Sequence, residues 1–171
     1  IDATAEIGIP YGEYAVFSTD ITLLERAEAY ALLGQYDKAL KDINTELTVF
    51  SKNRKQLTLA DIQDFYGSMA YYTPTKPTPK KKLNPLFTVE ATTQEPLLQC
   101  LLQLKRLVTI HEGFRLQDVK RYGITMYRRK VDVQSAVTAV TDSMKVGDPR
   151  LAIQLPQDVI TAGVKPNPRN N

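Results

Sequence analysis

The chain has 171 residues, of which 43% are apolar and 24% charged, and this length and composition allow one domain with a sizeable core. Its net charge of +3 is a weak excess that argues against the clustered basicity of a nucleic-acid-binding protein. The single cysteine excludes an intrachain disulfide, and no apolar run reaches the roughly 18 residues that a membrane-spanning helix requires. We therefore expect a single domain over residues 1–171. Because the chain starts IDATAEIG, with neither Met nor a secretory signal, we also expect it to be a piece of a longer protein.

The first clear signal is a pair of helices that follows a turn-rich start over residues 1–19. The residues Ser-Thr-Asp at 18–20 offer a cap for a helix that runs to about Leu33, and Gly34 ends it. A second helix begins near Tyr36 and carries an apolar stripe that we expect to be buried. The stripe comprises Tyr36, Ala39, Leu40, Ile43, Leu47 and Phe50. The residues expected to remain in solvent are Lys38, Lys41, Asp42 and Glu46.

Three further features follow along the chain. In TLADIQDFYGSMAYY, Thr58 and Asp61 match a capping box at the start of a third helix. The proline- and lysine-rich segment 73–85 predicts a loop, because its prolines remove backbone donors and favour extended conformations. The stretch EPLLQCLLQLKRLVTIHEG predicts a helix with Pro96 in its first turn and a leucine-rich face wide enough for the core.

The rest of the chain is less regular. The stretch ITMYRRKVDV alternates loosely and fits either a strand or an extended arm. The stretch DSMKVGDPRLAIQLPQDVITAG combines a turn, a short extended piece and one helical turn after Pro156. Together these patterns predict a mainly α fold, with a helical hairpin, further helices, irregular segments and room for short strands.

The stretch TIHEGFRLQDVKRYG holds the only histidine and a dense set of charges. On a continuous helix, four of its residues alternate in sign at a spacing of three, which predicts an ion-pair ladder. These residues are Glu112, Arg115, Asp118 and Arg121.

Catalysis is not expected of this chain. Cys100 and His111 suggest a thiol nucleophile with its base, but eleven helical residues place their backbones roughly 16 Å apart. Such a pair needs hydrogen-bond reach of about 3 Å. One histidine and scattered carboxylates are also too few for a metal site. We therefore predict that the chain is not an enzyme and has no cofactor, that Cys100 is a small core residue, and that His111 is either a helix-end or a buried packing histidine.

The helix pair LLERAEAYALLGQYDKALKDI resembles a tetratricopeptide repeat. Ala27 and Ala39 are small enough to let two antiparallel helices approach closely, and Gly34 provides the tight turn. No second copy follows at a spacing of about 34 residues. The pair is interpreted as a structural hairpin whose second face packs on the rest of the protein. The alternative is a tetratricopeptide-type protein-interaction module with a peptide-binding groove and no small-ligand site of its own.

A more specific resemblance is carried by HEGFRLQDVKRYG. This stretch is similar to the E-G-x-R-x-x-D-[apolar]-x-R signature in the C-terminal part of the SusD/RagB family. The matching residues are Glu112, Gly113, Arg115, Asp118, Val119 and Arg121. The helix pair before it and DPRLAIQLPQDVITAGVKPNPRN after it also agree with the family in order, and the three stretches cover a little over half of the chain. Residues 51–106 match less well, and the loop at 73–85 reads as an insertion.

The SusD/RagB resemblance implies a largely helical protein that binds glycans, or in some branches peptides, without cleaving them. It implies a lipid anchor at the outer face of the outer membrane of a Bacteroidetes-type bacterium and a SusC-like TonB-dependent transporter as partner. The lipid-bearing cysteine would lie before Ile1, since Cys100 is predicted in mid-helix. Glycan sites in the family use aromatic platforms in variable loops. The matched charged residues, with Gly113, are therefore interpreted as a structural brace rather than as ligand contacts.

Aromatic side chains beside the proline-rich loop are the candidates for ligand contact, because sugar rings stack on aromatic faces. In DFYGSMAYYTPT, Tyr66 and Tyr71 are predicted to form an aromatic lip for a glycan, whereas Phe65 and Tyr72 are predicted to lie in the core. The alternative for the two lip residues is packing against the leucine-rich helix. Further candidates are Tyr11, Tyr14 and, for an anionic ligand or lipid headgroups, Lys80, Lys81 and Lys82, for which a solvated loop is the simpler interpretation.

Overall fold

A computed structural model describes residues 18–168 of the chain. The regular structure of these residues is six α-helices, one turn of 3-10 helix and one two-stranded sheet. The helices are α1 (Thr19–Leu32), α2 (Tyr36–Phe50), α3 (Leu59–Ser68), α4 (Gln94–Val108), α5 (Arg115–Arg121) and α6 (Gln157–Thr161), the strands are β1 (Met126–Val131) and β2 (Val137–Met144), and the 3-10 turn is Pro149–Leu151. The predicted mainly α fold is confirmed. Tyr11 and Tyr14 lie outside the described residues.

The hydrophobic core forms around α4, on which α1 and α3 pack. Its leucine-rich face is buried, as predicted, with Leu97, Leu98 and Leu101 at most 1% exposed. Helices α1 and α2 form the predicted hairpin, in which the fully buried Ala27 and Ala39 let the two backbones approach closely. Because α1 also packs on α4, the second face of the hairpin is covered by the rest of the chain. Within the described part of the chain, none of the helices is both long and apolar enough to cross a membrane.

Local capping explains where α1 and α3 begin. The Ser18 hydroxyl accepts a hydrogen bond from the backbone N–H of Ile21 at 3.2 Å. At α3, the Asp61 N–H donates to the Thr58 hydroxyl at 3.1 Å, and the Thr58 N–H donates to the Asp61 carboxylate at 2.8 Å. This reciprocal pair is the capping box that the sequence predicts. Helix α1 ends where Gly34 adopts a φ of +72°, a left-handed conformation that glycine tolerates without strain.

The predicted polar face of α2 is wrong at two positions. Asp42 and Glu46 are only 5% and 3% exposed, although their helical positions predict contact with solvent. Asp42 is buried because Arg26 of α1 donates two hydrogen bonds of 2.8 Å to its carboxylate. Burial raises the pKa of Glu46, and the neighbouring carboxylate of Asp20 acts in the same direction. Phe50, predicted to be buried, is 52% exposed at the end of α2.

The predicted ion-pair ladder is not formed, because the helix expected to run through His111 stops at the end of α4. His111 and Gly113 have φ values of +70° and +82°, left-handed conformations that interrupt an α-helix. Glu112 consequently lies in an exposed turn before α5. Of the predicted pairs along the ladder, the described residues form only that between Arg115 and Asp118, at 3.3 Å.

A β-hairpin follows α5, and the stretch ITMYRRKVDV contributes its first strand. Strand β1 pairs antiparallel with β2, with Met126 opposite Met144 and Val131 opposite Val137, and the register shifts twice between these ends. The second strand was not predicted. Neither face of β2 is buried along its length, and its sequence VTAVTDSM does not alternate regularly between apolar and polar residues. The period of two that marks a half-buried strand is therefore missing. The segment 73–85 has no regular structure, as predicted, and a helical turn follows Pro156.

Candidate functional site

The charged motif of α5 meets α1 and α4 in a buried ion-pair cluster. The Lys105 ammonium nitrogen lies 2.7 Å from a carboxylate oxygen of Glu25, 2.8 Å from one of Glu28 and 3.2 Å from one of Asp118. We call these four side chains the Lys105 cluster. Lys105, Glu28 and Asp118 are each at most 7% exposed. Burial by itself lowers the pKa of Lys105. The surrounding carboxylates raise this pKa by more than burial lowers it, so the pKa of Lys105 is raised overall.

Two residues that follow Asp118 on the chain extend this arrangement. Arg121 Nε lies 3.1 Å from Glu28 Oε1, and the Tyr122 hydroxyl donates to the same oxygen at 2.7 Å. The void beside the Lys105 cluster measures about 10 Å³, which leaves room for about one water molecule and for no larger ligand. Asp118 and Arg121 of the motif thus join α5 to α4 and α1, and Arg115 pairs with Asp118 within α5, whereas Glu112 forms no ion pair within residues 18–168 and Gly113 provides the turn.

Tyr66, one of the two tyrosines predicted to contact a ligand, lies in the core. It is 4% exposed, and its hydroxyl donates to Gln103 Oε1 at 2.7 Å. Burial raises the pKa of this hydroxyl. The buried face of α3 runs through Ile62 and Tyr66, four residues apart, so the adjacent Phe65 is turned outward and is 52% exposed. The predictions that Tyr66 is a ligand platform and that Phe65 is a core residue are therefore wrong.

Tyr71, the other predicted platform, lies partly in solvent. It is 39% exposed, its hydroxyl donates to Glu95 Oε1 at 2.8 Å, and the Lys80 ammonium lies 4.2 Å from its ring centroid. Burial, together with the Glu95 carboxylate, raises the pKa of Tyr71 to about 12. The structure does not bring Tyr71 together with Tyr66 at one surface site.

A cleft of about 410 Å³ instead opens beside the neighbouring residue, Tyr72, between the hairpin and the segment that precedes α4. This volume lies within the range of about 300–1,000 Å³ that is typical of small-ligand pockets. The walls include Tyr72, Lys82, Asn84, Gly123, Tyr127 and Lys145. We call this the Tyr72–Tyr127 cleft. It combines two aromatic rings with an amide and two ammonium groups, which are side chains suited to binding a polar ligand with apolar faces.

Arg129 holds the two tyrosines in place. The ring centroids of Tyr72 and Tyr127 lie 5.5 Å apart with an interplanar angle of 31°. Arg129 donates to the Tyr72 hydroxyl and the Thr73 carbonyl, both at 2.6 Å, and to the Pro74 carbonyl at 2.7 Å. Its guanidinium carbon lies 4.3 Å from the Tyr72 ring centroid. Tyr127 and Arg129 are two residues apart on β1, so they share one face of the strand. Arg129 is therefore a positioning residue.

Gly123 allows the two backbone segments at the cleft to approach closely. The Asn84 N–H donates to the Tyr122 carbonyl at 2.8 Å. Gly123 has a φ of +58°, and a Cβ at this position would lie 2.1 Å from the Asn84 carbonyl oxygen and 3.0 Å from a methyl of Val146. No residue with a side chain fits this geometry without a backbone shift.

Lys81 lies behind the cleft and is 8% exposed, which corrects its prediction as a solvated loop residue. Its ammonium donates to the Thr78 carbonyl at 2.7 Å and lies 3.4 Å from the Tyr72 ring centroid. Burial lowers the pKa of Lys81 to about 7, and the positive charges of Arg106, Arg115 and Arg129 act in the same direction. Lys81 therefore carries only part of a positive charge at neutral pH, and Arg129 supplies the full positive charge at this wall.

The cleft was not predicted because its residues come from three separate parts of the chain, around Tyr72–Asn84, Gly123–Tyr127 and Lys145. One signal in the sequence indicated part of the cleft. Tyr127 and Arg129 are two residues apart in TMYRRK, the spacing of neighbours on one face of a strand. Cys100 is buried, as predicted, and burial raises the pKa of its thiol to about 12. Within residues 18–168, no group of three His, Cys, Asp or Glu side chains is placed to hold a metal ion.

Comparison with protein-family models, with curated proteins and with solved structures found no match to this chain.

Proposed function

We propose that this chain binds a saccharide without cleaving it, and that the saccharide lies in the Tyr72–Tyr127 cleft. The observation that carries the proposal is the pairing of two tyrosine rings with the Asn84 amide and the Lys82 and Lys145 ammonium groups in one open cleft. Sugar rings present C–H faces that pack on aromatic rings, while their hydroxyls require donors and acceptors at the margin of the contact.

The wider role that we propose follows from the resemblance to the SusD/RagB family. The protein would act at the outer face of the outer membrane of a Bacteroidetes-type bacterium, on a lipid anchor outside residues 1–171, and pass its ligand to a SusC-like TonB-dependent transporter. The ordered set of three motif stretches supports this proposal. A tetratricopeptide-type interaction module has less support, because α4 covers one face of the α1–α2 hairpin.

The test is a glycan-array screen of the intact chain, followed by titration calorimetry on the strongest hit with Tyr127→Ala and Tyr71→Ala. Tyr71 is the matched control, because it is a partly exposed tyrosine outside the cleft lining. We expect Tyr127→Ala to lose about tenfold or more in affinity, which corresponds to roughly the stacking free energy of one aromatic ring. Tyr71→Ala is expected to bind as the wild type does, and thermal melts verify that both variants fold.

Three outcomes would contradict the proposal. If no saccharide on the array binds, the proposed function is wrong. Loss of binding in Tyr71→Ala, with Tyr127→Ala unaffected, would move the site to Tyr71, the partly exposed member of the pair predicted from the sequence. Release of shorter saccharides during incubation, detected by chromatography, would show that the protein is an enzyme.

A further inference from the structure

The charged groups that line the cleft all carry one sign. Lys82 and Lys145 belong to its lining, and no aspartate or glutamate side chain does. Within residues 18–168, neither lysine forms an ion pair. Two ammonium groups therefore line one cleft with no carboxylate among the lining side chains.

The carboxylates nearest to Lys145 in the sequence are engaged elsewhere. Asp142 and Asp148 each lie three residues from Lys145, and both contact Arg150, the second with a separation of 2.7 Å. Hydrogen bonds from Arg150 lower the pKa of Asp142. Arg150 thus forms ion pairs with both carboxylates, although its one charge offsets only one of theirs, and Lys145 forms no ion pair within residues 18–168.

The wall behind the tyrosines adds positive charge and no negative charge. Arg129 donates to two carbonyl oxygens and one hydroxyl, and Lys81 donates to a carbonyl oxygen, so neither is neutralised by a carboxylate. A cleft lined by charges of one sign concentrates ions of the opposite sign.

We infer that the saccharide bound in the Tyr72–Tyr127 cleft is acidic and carries carboxylate or sulfate groups that Lys82 and Lys145 contact. This inference rests on the proposed function and names the class of its ligand. The hydroxyls of a neutral sugar can accept hydrogen bonds from both ammonium groups but offer them no opposite charge. A carboxylate or sulfate oxygen accepts charge-assisted hydrogen bonds, which are roughly twice as strong as neutral ones.

The experiment compares saccharides that differ only in charge. The probes are trigalacturonate, its fully methyl-esterified neutral counterpart, and a chondroitin tetrasaccharide with and without sulfate, each titrated into the intact wild-type chain by calorimetry. We expect the charged member of at least one pair to bind about tenfold or more tightly than its neutral or less charged partner. The carboxylate pair and the sulfate pair separate the two sources of negative charge. The preference is expected to shrink between 50 mM and 500 mM salt, because ions screen exposed charges.

Variants then assign the effect to the two lysines. The double variant Lys82→Gln/Lys145→Gln is expected to bind the charged and the neutral probe with equal affinity, because the glutamine side chains still donate hydrogen bonds but carry no charge. Lys41→Gln is the matched control, because Lys41 is exposed on α2, a helix that contributes nothing to the cleft, and it is expected to keep the preference.

The outcomes separate the inference from the proposed function. If wild type binds neutral and charged probes equally, with binding that requires Tyr127, the proposed function stands and the acidic ligand is ruled out. If the preference survives in the double variant, or is lost equally in Lys41→Gln, the two lysines do not supply it and the inference fails. If no saccharide of either class binds, the proposed function and the inference fail together.

Discussion

Lys105 illustrates, at the scale of the residue, how one buried charge can organise three helices. Its ammonium group contacts Glu25 and Glu28 of α1 and Asp118 of α5 while it projects from α4. Moving these charges out of water costs several kcal/mol per ion, and the attraction between them offsets that cost only while every partner is present. The Lys105 cluster therefore fixes the relative positions of the helices more than it adds to net stability.

We predict that Lys105→Met destabilises the protein by about 3–5 kcal/mol, because it removes the buried cation that Glu28 and Asp118 share and leaves them only the more exposed Arg121 and Arg115. Chemical denaturation at pH 7 measures the change. Lys55→Met is the control: Lys55 pairs with Asp61 at 3.5 Å with a largely exposed side chain, so the same substitution there is expected to cost less than about 1 kcal/mol. Equal losses in the two variants would contradict the role given to burial.

The same cluster predicts a dependence on alkaline pH. Because the folded-state pKa of Lys105 is raised, its contribution to stability is complete below the ordinary lysine pKa of about 10.4 and is lost as the pH rises through the folded-state pKa. The difference in unfolding free energy between wild type and Lys105→Met should therefore be constant from pH 7 to 10 and shrink above that range.

At the scale of the element, α4 begins with a cap that lies outside the helix. The Glu90 carboxylate accepts hydrogen bonds from the backbone N–H groups of Thr93 at 2.7 Å and Gln94 at 3.1 Å, and a third from Thr92. These bonds satisfy donors that have no partner within the helix, and a negative charge is favoured at a helix N-terminus. They lower the pKa of Glu90 to about 2.

We predict that Glu90→Gln destabilises the protein at neutral pH and that the difference from wild type disappears in acid. The folded-state pKa of Glu90 is depressed, so its stabilisation is present above the ordinary glutamate pKa of about 4.3 and is lost as the pH falls towards 2. Urea denaturation of both proteins at intervals from pH 2 to pH 7 gives this difference. Glu112→Gln, at an exposed turn residue without an ion pair in the described residues, is expected to show no such profile, and a matching profile there would argue against the cap.

Helices with strong local signals could be predicted from the sequence, and elements that depend on distant contacts could not. Thr58 with Asp61 and the apolar stripe of α4 act through neighbours three or four residues away, so the pattern alone locates them. The burial of Asp42 depends on Arg26 from another helix, and the outward turn of Phe65 depends on which face of α3 meets α4. The prediction of the binding site was wrong for the same reason, because the cleft brings together residues that are distant along the chain.

At the scale of the whole molecule, the helical core and the β-hairpin differ in how they are held. The helices share a core of buried leucine and alanine side chains, whereas most residues of β1 and β2 are exposed. Three hydrogen bonds from Arg129 tie the hairpin to the loop that follows α3. Regions with few buried apolar contacts open more readily than a packed core, and the hairpin carries one wall of the proposed binding cleft.

We predict that Arg129→Gln frees the hairpin while the helices stay folded. Hydrogen exchange followed by mass spectrometry should show amide exchange in β1 and β2 faster by about tenfold or more, with protection in α1 and α4 unchanged. Arg128→Gln is the matched control, because Arg128 is the adjacent exposed arginine on the same strand and forms no ion pair within residues 18–168. Equal effects of the two substitutions would show that Arg129 is not the tether. Faster exchange in α1 and α4 would show that the hairpin and the core unfold as one unit.

Since Arg129 also orients Tyr72, saccharide binding should weaken together with hairpin protection, which links the stability of this element to the proposed function.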